Sequence, residues 1–280
     1  MLNQALVAEI EHEAARMRMN VVEMVYQGGS GHLGGSLSVC EILAALYFAE
    51  LNVDPTQPRD PGRDRLILSK GHAAPALYAA LAQRGYFPET ELATLRKIGS
   101  RLQGHPDMKK TAGIDISSGS LGMGISFGIG IALAARSDRA VFRTYVITGC
   151  GELDEGQNWE ALMTAVKYRL DNLVVIVDYN RIQLDGSNDQ IMPLGDLSRK
   201  FQAFDWHVLE CDGHNVAQIL GSLAQAREIK EQPCVIMAHT IKGRGVSFME
   251  NTHEWHGKEL NEGDYLRATN ELKGVSRHGE

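Results

Sequence analysis

The sequence predicts an α/β protein in which helices cover both faces of a parallel sheet. The segments TYVIT and NLVVIVDY are continuous apolar runs rich in β-branched residues, as is typical of strands buried on both faces of a parallel sheet. Between them, apolar residues from Trp159 to Leu170 recur every three or four positions and indicate an amphipathic helix. Because strands and helices alternate in this way along the chain, we expect the α/β class.

The elements before these strands follow from the same patterns. The first predicted helix covers about residues 2 to 26, where Leu6, Ile10 and Ala14 begin a regular apolar spacing. A glycine-rich turn, QGGSGHLGGSLS, ends this helix, and Ser38 is placed to cap a second helix through VCEILAALYFAE. A proline-rich loop then leads to the short strand DRLILS, which a helix in APALYAALAQRG follows.

The elements after these strands complete the predicted sheet. WHVLECDG and PCVIMAHT read as two further strands, separated by a helix around residues 215–230. The sequence contains no repeat, low-complexity segment or shift in composition that marks an internal boundary. We therefore predict one domain over residues 1–280, of which the charged segment 261–280 is expected to be loosely held.

Composition and charge exclude several classes of protein. The net charge is −7, and no basic stripe is interleaved with aromatic residues, which argues against nucleic-acid binding. The four cysteines are scattered without a CxxC pair, as is typical of proteins from a reducing compartment. The first residues lack the apolar centre of a signal peptide, and no apolar run approaches the ~20 residues that span a membrane. We expect a cytoplasmic protein that does not bind membranes.

A glycine-rich turn follows one of the predicted strands, in the segment ITGCGELDEG. Ligands of open α/β sheets bind beyond the carboxyl ends of the strands, and glycine amides before a helix favour a phosphate. The next strand ends in Asp178 and Asn180, whose oxygens suit a hard divalent cation. Two adjacent loops can therefore hold a metal diphosphate. The alternative is a purely structural glycine turn with a helix cap.

The segment from GCGELDEG to QLDG resembles the thiamine diphosphate motif of transketolase-type enzymes, which runs Gly-Asp-Gly, Glu-Gly, a helix and Asn. Five further segments resemble transketolase in the same order, namely GSGHLGGSLS, LILSKGHAAPALYAAL, GHPD, SSGSLGMGISFGIGIALA and WHG. The resemblance implies the diphosphate-binding (PP-module) fold, with thiamine diphosphate and Mg²⁺ (or Ca²⁺ or Mn²⁺) as cofactors. The family's pyrimidine-binding domain does not follow, so we expect the N-terminal subunit of a split transketolase.

The resemblance also implies roles for individual residues. Positions matching the family's cofactor-binding residues are Gly119, Leu121, Gly149, Gly151, Glu152, Asn180 and Leu184. Positions matching its metal site are Asn180, the carbonyl of Ile182 and Cys150. Positions matching its catalytic residues are His32, His72, His105, His256 and Glu155, which in the family contacts the partner's activating glutamate. Histidine, with an ordinary pKa near 6.5, can accept and return a proton near neutral pH.

One position departs from the family pattern, because Cys150 stands where the family has a metal-binding aspartate. Hard cations prefer oxygen, whereas a thiolate suits softer metals. Three outcomes are open at this stage: a water replaces the carboxylate, Asp154 or Glu152 substitutes for it, or the site is impaired or retuned. A fourth interpretation is that Cys150 only fills space.

The function implied is thiamine diphosphate-dependent transfer of a two-carbon ketol unit between a ketose and an aldose, with sugar phosphates expected as substrates. Activity is expected only with a second subunit that carries the pyrimidine-binding domain, in an α2β2 complex, and the chain alone is expected to be a homodimer. The alternative is a cofactor-binding module with impaired or no catalysis, which Cys150 favours. A dinucleotide-dependent dehydrogenase is disfavoured, since GCGELDEG lacks the third glycine of its fingerprint.

Overall fold

A sheet of five parallel strands forms the centre of the computed structural model, which describes residues 3–276. In chain order the strands are β1 (Arg65–Leu68), β2 (Thr144–Gly149), β3 (Leu173–Tyr179), β4 (His207–Asp212) and β5 (Cys234–His239). Their spatial order is β1-β2-β3-β5-β4, and every neighbouring pair is parallel. The five predicted strands are confirmed, and all their carboxyl ends meet at one edge of the sheet.

Helices connect these strands and cover the sheet. In chain order they are α1 (Gln4–Gly28), α2 (Leu33–Leu37), α3 (Cys40–Ala45), α4 (Ala74–Arg84), α5 (Gly124–Ser137), α6 (Gly156–Lys167), α7 (Asn188–Ile191), α8 (Leu197–Ala203), α9 (Val216–Glu228) and α10 (Glu262–Ser276). A π-helical turn, Leu46–Glu50, continues α3. Within residues 3–276, no helix combines the length and apolar character that a membrane crossing requires.

Two apolar cores lie on opposite faces of the sheet, which confirms the predicted fold class. Successive residues of β2 point alternately into the two cores. Tyr145 and Ile147 pack in the core formed with α1, α3, α4 and α9, whereas Val146 packs in the core formed with α5 and α6. This alternation follows from the period of two along a strand.

Helix α5 was not predicted as a helix, because its glycines weaken the helical pattern. The structure shows that packing requires glycine at position 128. A Cβ atom at this position would lie 2.6 Å from the Val146 side chain, so only glycine lets α5 approach β2 this closely.

The C-terminal segment differs from the expected loosely held tail. Helix α10 packs along α1, where Tyr265 stacks on Tyr26 with ring centroids 4.1 Å apart. Ala268 and Leu272, one turn apart, are buried on the same side. The many charged residues of this segment conceal that narrow apolar face in the sequence. Residues 277–280 of the predicted tail lie outside the described residues.

Candidate active site

The neighbouring ends of β2 and β3 form the floor of a cavity at the carboxyl edge of the sheet. Gly149 and Asp178 are register partners at these two ends, and helix α6 makes the predicted crossover between the strands. The cavity has a volume of about 210 Å³. Its lining includes Gly35, Lys70, His72, Leu121, Gly149, Cys150, Gly151, Glu152, Asn180, Ile182, Gln183, Leu184, Lys242 and His256.

Asp178 is a structural centre beneath this cavity. It is fully buried, pairs with the Lys70 ammonium, and accepts hydrogen bonds from Ser38 Oγ (2.8 Å), Asn180 Nδ2 (2.9 Å) and the Thr240 hydroxyl. Burial alone would raise the pKa of this carboxyl, but Lys70 and the hydrogen bonds hold it below its usual value. The prediction that Asp178 offers a metal ligand is therefore wrong, because both its oxygens are engaged. The predicted helix cap at Ser38 is also wrong, because its hydroxyl donates to Asp178 and Val39 is the N-cap residue of α3.

The hydrogen bond to Asp178 fixes the orientation of the Asn180 amide. Since Nδ2 donates to Asp178, Oδ1 lies on the other side, 3.1 Å from Ile182 N and 3.9 Å from Cys150 Sγ. The Ile182 carbonyl lies 3.4 Å from Lys242 Nζ at the cavity wall. The structure thus brings together the two oxygen ligands that the sequence predicted for a cation.

Cys150 is buried between two amide oxygens. Its sulfur lies 3.7 Å from Asn188 Oδ1 and 3.9 Å from Asn180 Oδ1. Burial raises the pKa of this thiol, so at neutral pH it carries a proton and is a poor ligand for a hard cation.

No nearby acid replaces the missing carboxylate. Asp154 is exposed and outside the cavity lining, and both Glu152 oxygens accept hydrogen bonds from the protein. Within the described part of the chain, no three His, Cys, Asp or Glu side chains are grouped to hold a metal. The donors present therefore fit a hard cation only through Asn180, Ile182 and oxygens from outside the protein.

The glycine turn offers fewer free amides than its sequence suggests. Gly149 N–H donates to Glu152 Oε2 (3.2 Å), and Cys150 N–H donates to the Asp178 carbonyl (3.3 Å). Gly149 nevertheless leaves an open face, since a Cβ there would meet nothing nearer than Lys70 at 3.8 Å. At Gly151 a Cβ would lie 2.9 Å from the Gln183 side chain, so this position requires glycine.

Apolar side chains surround the mouth of the cavity. Leu121 and Leu184 line it and are 38% and 58% exposed. Gly119, with φ 142°, lies against the His105 ring, where a Cβ would be 3.1 Å from the ring. Glu155, the N-cap residue of α6, is exposed next to Gly122.

The four predicted histidines form one cluster at the cavity. They come from four separate segments: the start of α2, the turn after β1, the loop before α5 and the loop before α10. Ring centroids are 5.4 Å apart for His32 and His72, 5.3 Å for His32 and His256, 4.9 Å for His72 and His256, and 6.3 Å for His32 and His105.

Cationic neighbours fix the tautomers of two of these rings. Arg96 donates to His32 Nδ1 (3.3 Å) and Lys242 donates to His256 Nδ1 (3.1 Å). Since guanidinium and ammonium groups have no acceptor, each Nδ1 must accept, and the ring proton of the neutral imidazole is on Nε2.

Burial also keeps the cluster uncharged. Burial, with Arg96 as the next cause, lowers the pKa of His32 to about 4; burial, with Lys242 next, lowers that of His256 to about 3. The pKa values of His72 and His105 are also lowered, again mainly by burial. All four pKa values therefore lie below the ordinary histidine value near 6.5, and the four rings are neutral at pH 7.

A profile of the transketolase thiamine diphosphate-binding domain matches residues 10–278. The chain belongs to the transketolase family. It is 47% identical to the 6-deoxy-6-sulfo-D-fructose transketolase subunit SqwG of Clostridium sp. (strain MSTE9), with 95% of this chain aligned to 96% of that protein. It is 39% identical to an apulose-4-phosphate transketolase subunit of Phocaeicola vulgatus, over 95% of this chain and 94% of that one. It is thus a transketolase-type enzyme subunit.

Solved transketolases share the fold. The transketolase from Leishmania mexicana superposes with a TM-score of 0.89 at 32% identity, covering 94% of this chain and 41% of that one. The transketolase from Campylobacter jejuni gives a TM-score of 0.89 at 31% identity, covering 98% and 43%. This transketolase-family chain therefore spans about two-fifths of the length of those enzymes.

The sequence analysis did not predict three cationic residues of this transketolase site. Lys70 and Lys242 follow β1 and β5 closely, so the rule that ligands bind beyond strand ends could have found both. Arg96 lies in an irregular loop with φ 60° and gave no such signal. Burial, with Lys70 as the next cause, lowers the pKa of Lys242 to about 8.

The lowered histidine pKa values predict a loss of stability in acid. Between the ordinary value of 6.5 and values of about 4 for His32 and about 3 for His256, the unfolded chain binds more protons than the folded chain. The free energy of unfolding should therefore be greatest above pH 6.5 and fall below it, by at most ~1.4 kcal/mol per pH unit per histidine, reduced by partial exposure.

Urea unfolding between pH 7.5 and 5 measures this slope. We expect His256→Gln to make it shallower and His12→Gln, at an exposed position of α1, to leave it unchanged. An identical slope in His256→Gln and the unaltered chain would contradict the assignment.

Proposed function

We propose that this chain is the thiamine diphosphate-binding subunit of a two-chain transketolase that transfers a two-carbon ketol unit from a ketose to an aldose. The observation that carries the proposal is the cluster of four neutral histidines beside a glycine-lined cavity at the carboxyl edge of the sheet. A glycine turn without chemistry would not need four uncharged imidazoles from four segments around it, three of which are half-buried.

The cavity suits thiamine diphosphate in three respects. The open face of Gly149, the Gly151 backbone and the Lys242 ammonium suit the diphosphate. Leu121 and Leu184 offer apolar surface for the rings. When bound, the cofactor supplies the carbon nucleophile and the electron sink for ketol transfer.

A divalent cation would be held with a reduced set of protein ligands. Asn180 Oδ1 and the Ile182 carbonyl would bind Mg²⁺, or Ca²⁺ or Mn²⁺, with diphosphate oxygens and water completing the shell. The water takes the place of the carboxylate that Cys150 does not provide.

The histidines divide into two roles. His32 and His256 carry the ring proton on Nε2, so they donate hydrogen bonds to sugar oxygens on which negative charge develops. Among residues 3–276, no side-chain hydrogen bond fixes the tautomer of His72 or His105, so these rings can accept the proton that leaves a sugar hydroxyl.

A second polypeptide would complete the site. Leu121, Met123, Phe127 and Leu184 expose apolar surface, Leu121 and Leu184 at the cavity mouth, and such patches mark interaction surfaces. Glu155 is exposed on that side and would contact the partner's activating glutamate. We propose a homodimer for the chain alone and an α2β2 complex with a pyrimidine-domain partner. Two similar proteins are named as transketolase subunits, which supports this arrangement.

The names of the similar proteins suggest a chemical class for the ketose substrate. The similar proteins are named for a sulfonated and a phosphorylated sugar, both of which carry an anionic group. We propose an anionic sugar, with sugar phosphates first, as the ketose substrate. A panel of sulfonated and phosphorylated ketoses would separate the two.

Cys150→Asp tests the cation site directly. Opposite charges ~4 Å apart attract by a few kcal/mol at an effective dielectric of ~20, and desolvation of the carboxylate offsets part of this. A net gain of ~1 kcal/mol would tighten Mg²⁺-dependent binding of thiamine diphosphate about five-fold, as measured by calorimetry.

Cys150→Ser is the matched control, because it removes the sulfur without adding charge, and we expect it to change the affinity little. Unaltered protein that does not bind thiamine diphosphate with any divalent cation in the presence of its partner subunit would contradict the proposed function. Weaker binding by Cys150→Asp with Mg²⁺, Mn²⁺ and Zn²⁺ alike would contradict the placement of this residue at the cation.

A further inference from the structure

Glu152 connects two separate segments of the cofactor cavity. It is 3% exposed. Its Oε1 accepts hydrogen bonds from Gly122 N–H (2.9 Å) and the Ser69 hydroxyl, and its Oε2 accepts from Gly149 N–H (3.2 Å). Ser69 Oγ in turn accepts from Gly124 N–H (3.1 Å). One carboxylate therefore receives three hydrogen bonds from three parts of the chain.

The two backbone partners of Glu152 belong to two different segments at the cavity. Gly149 ends β2 and begins the glycine turn, on the side suited to the diphosphate. Gly122 follows Leu121 in the loop that precedes α5, on the side suited to the cofactor rings. Among the described residues that line the cavity, Glu152 is the one that bonds to both of these segments.

Two glycines beside this connection are closely packed. A Cβ atom at Gly124 would lie 2.1 Å from Ser69 Oγ, and one at Gly122 would lie 2.6 Å from Glu155 Cβ. Only glycine permits such approaches, so the loop is held against Glu152 at a fixed distance.

We propose that Glu152 is a positioning residue that couples the ring side of the cofactor site to its diphosphate side. The sequence assigns Glu152 to cofactor binding, and we propose that its carboxylate acts there through Gly122 and Gly149, because both oxygens already accept hydrogen bonds from the protein. It sets the distance between Leu121 and the glycine turn, so that both contact one ligand at the same time. The inference rests on the proposed binding of thiamine diphosphate.

Glu152→Gln tests this role with little change of shape. All three partners of Glu152 are donors, and a carboxylate accepts at both oxygens, whereas an amide accepts at one and donates at the other. The amide nitrogen introduced by the substitution would face the N–H of Gly122 or Gly149, and the connection would open on that side. Glu160→Gln, an exposed position on α6, is the matched control with the same loss of charge.

Calorimetry on the full chain with Mg²⁺ would compare thiamine diphosphate with inorganic diphosphate, which occupies only one side. We expect Glu152→Gln to weaken thiamine diphosphate binding about 10- to 100-fold, as for loss of a charged hydrogen bond, and diphosphate binding less than about three-fold. Glu160→Gln should change neither. Equal weakening of both ligands, or no change in either, would overturn the coupling role.

Amide hydrogen exchange of the ligand-free chain gives a second measurement. Exchange should be faster in Glu152→Gln at residues 119–124 and unchanged in α1; unchanged exchange at 119–124 would overturn the inference. If Glu152→Gln does not fold, Glu152→Asp, whose shorter side chain cannot span both amides, should show the same selective changes. If unaltered protein binds neither ligand even with its partner subunit present, the proposed function fails, and the exchange measurement still decides the role of Glu152.

Discussion

Replacing Lys70 with methionine is expected to lower the free energy of unfolding by about 3–5 kcal/mol, as is typical when one partner of a buried ion pair is removed. Lys70 and Asp178 have side chains that are 1% and 0% exposed, and the Lys70 ammonium also donates to the Gly35 carbonyl (2.8 Å). Without Lys70, the Asp178 carboxylate would be buried without the cation that it pairs with. Urea unfolding followed by circular dichroism would measure the loss.

The matched control removes a cation from an exposed pair. Arg199 and Asp196 are 84% and 54% exposed, so Arg199→Met should cost no more than about 1 kcal/mol. If Lys70→Met lowers the free energy of unfolding by as little as Arg199→Met does, the structural role given to Asp178 is contradicted. Since Asp178 also orients Asn180, Lys70→Met should weaken Mg²⁺-dependent cofactor binding in addition.

Replacing His32 with alanine is expected to lower kcat of the assembled enzyme by about 10²- to 10³-fold, the range typical of losing one hydrogen-bond donor to developing negative charge. His32 lies within 6.3 Å, between ring centroids, of each of the other three histidines. It is not part of the lining of the cofactor cavity. Steady-state kinetics should therefore show the loss in turnover, and calorimetry should show little change in affinity for thiamine diphosphate.

His12→Ala, at an exposed position of α1, is the control for the general effect of removing a histidine. It should leave both turnover and cofactor affinity unchanged. A His32→Ala enzyme with turnover near that of the unaltered enzyme would remove His32 from the reaction. A large loss of cofactor affinity would instead place it in cofactor binding.

The local sequence pattern was sufficient to predict the elements that are marked by apolar runs or by a regular apolar spacing. The apolar strand runs predicted β2 and β3, and their spacing predicted the α6 crossover that brings Gly149 beside Asp178. The spatial order β1-β2-β3-β5-β4 was not predictable, because strand pairing is a long-range property. Helix α10 was missed because its apolar face is narrow.

The chemistry of the site was less predictable than its location. The histidine motifs indicated which rings lie together, but the lowered pKa values of His32 and His256 result from burial and from Arg96 and Lys242, which belong to distant segments. The sequence shows that Asp178 lies at a strand end, which suggested a metal ligand. It does not show that Lys70 and Thr240, from other segments, bond to this carboxylate. Contacts across the fold decide such roles, and a one-dimensional pattern does not show them.

An assay of ketol transfer decides whether this chain is one subunit of a two-chain transketolase. The partner can be identified by mass spectrometry of the second chain that co-purifies with the native protein. Pure chain with thiamine diphosphate, Mg²⁺ and a ketose–aldose pair should show no turnover, and addition of the partner should produce it. Clear turnover by the pure chain without a second polypeptide would contradict the two-chain assignment.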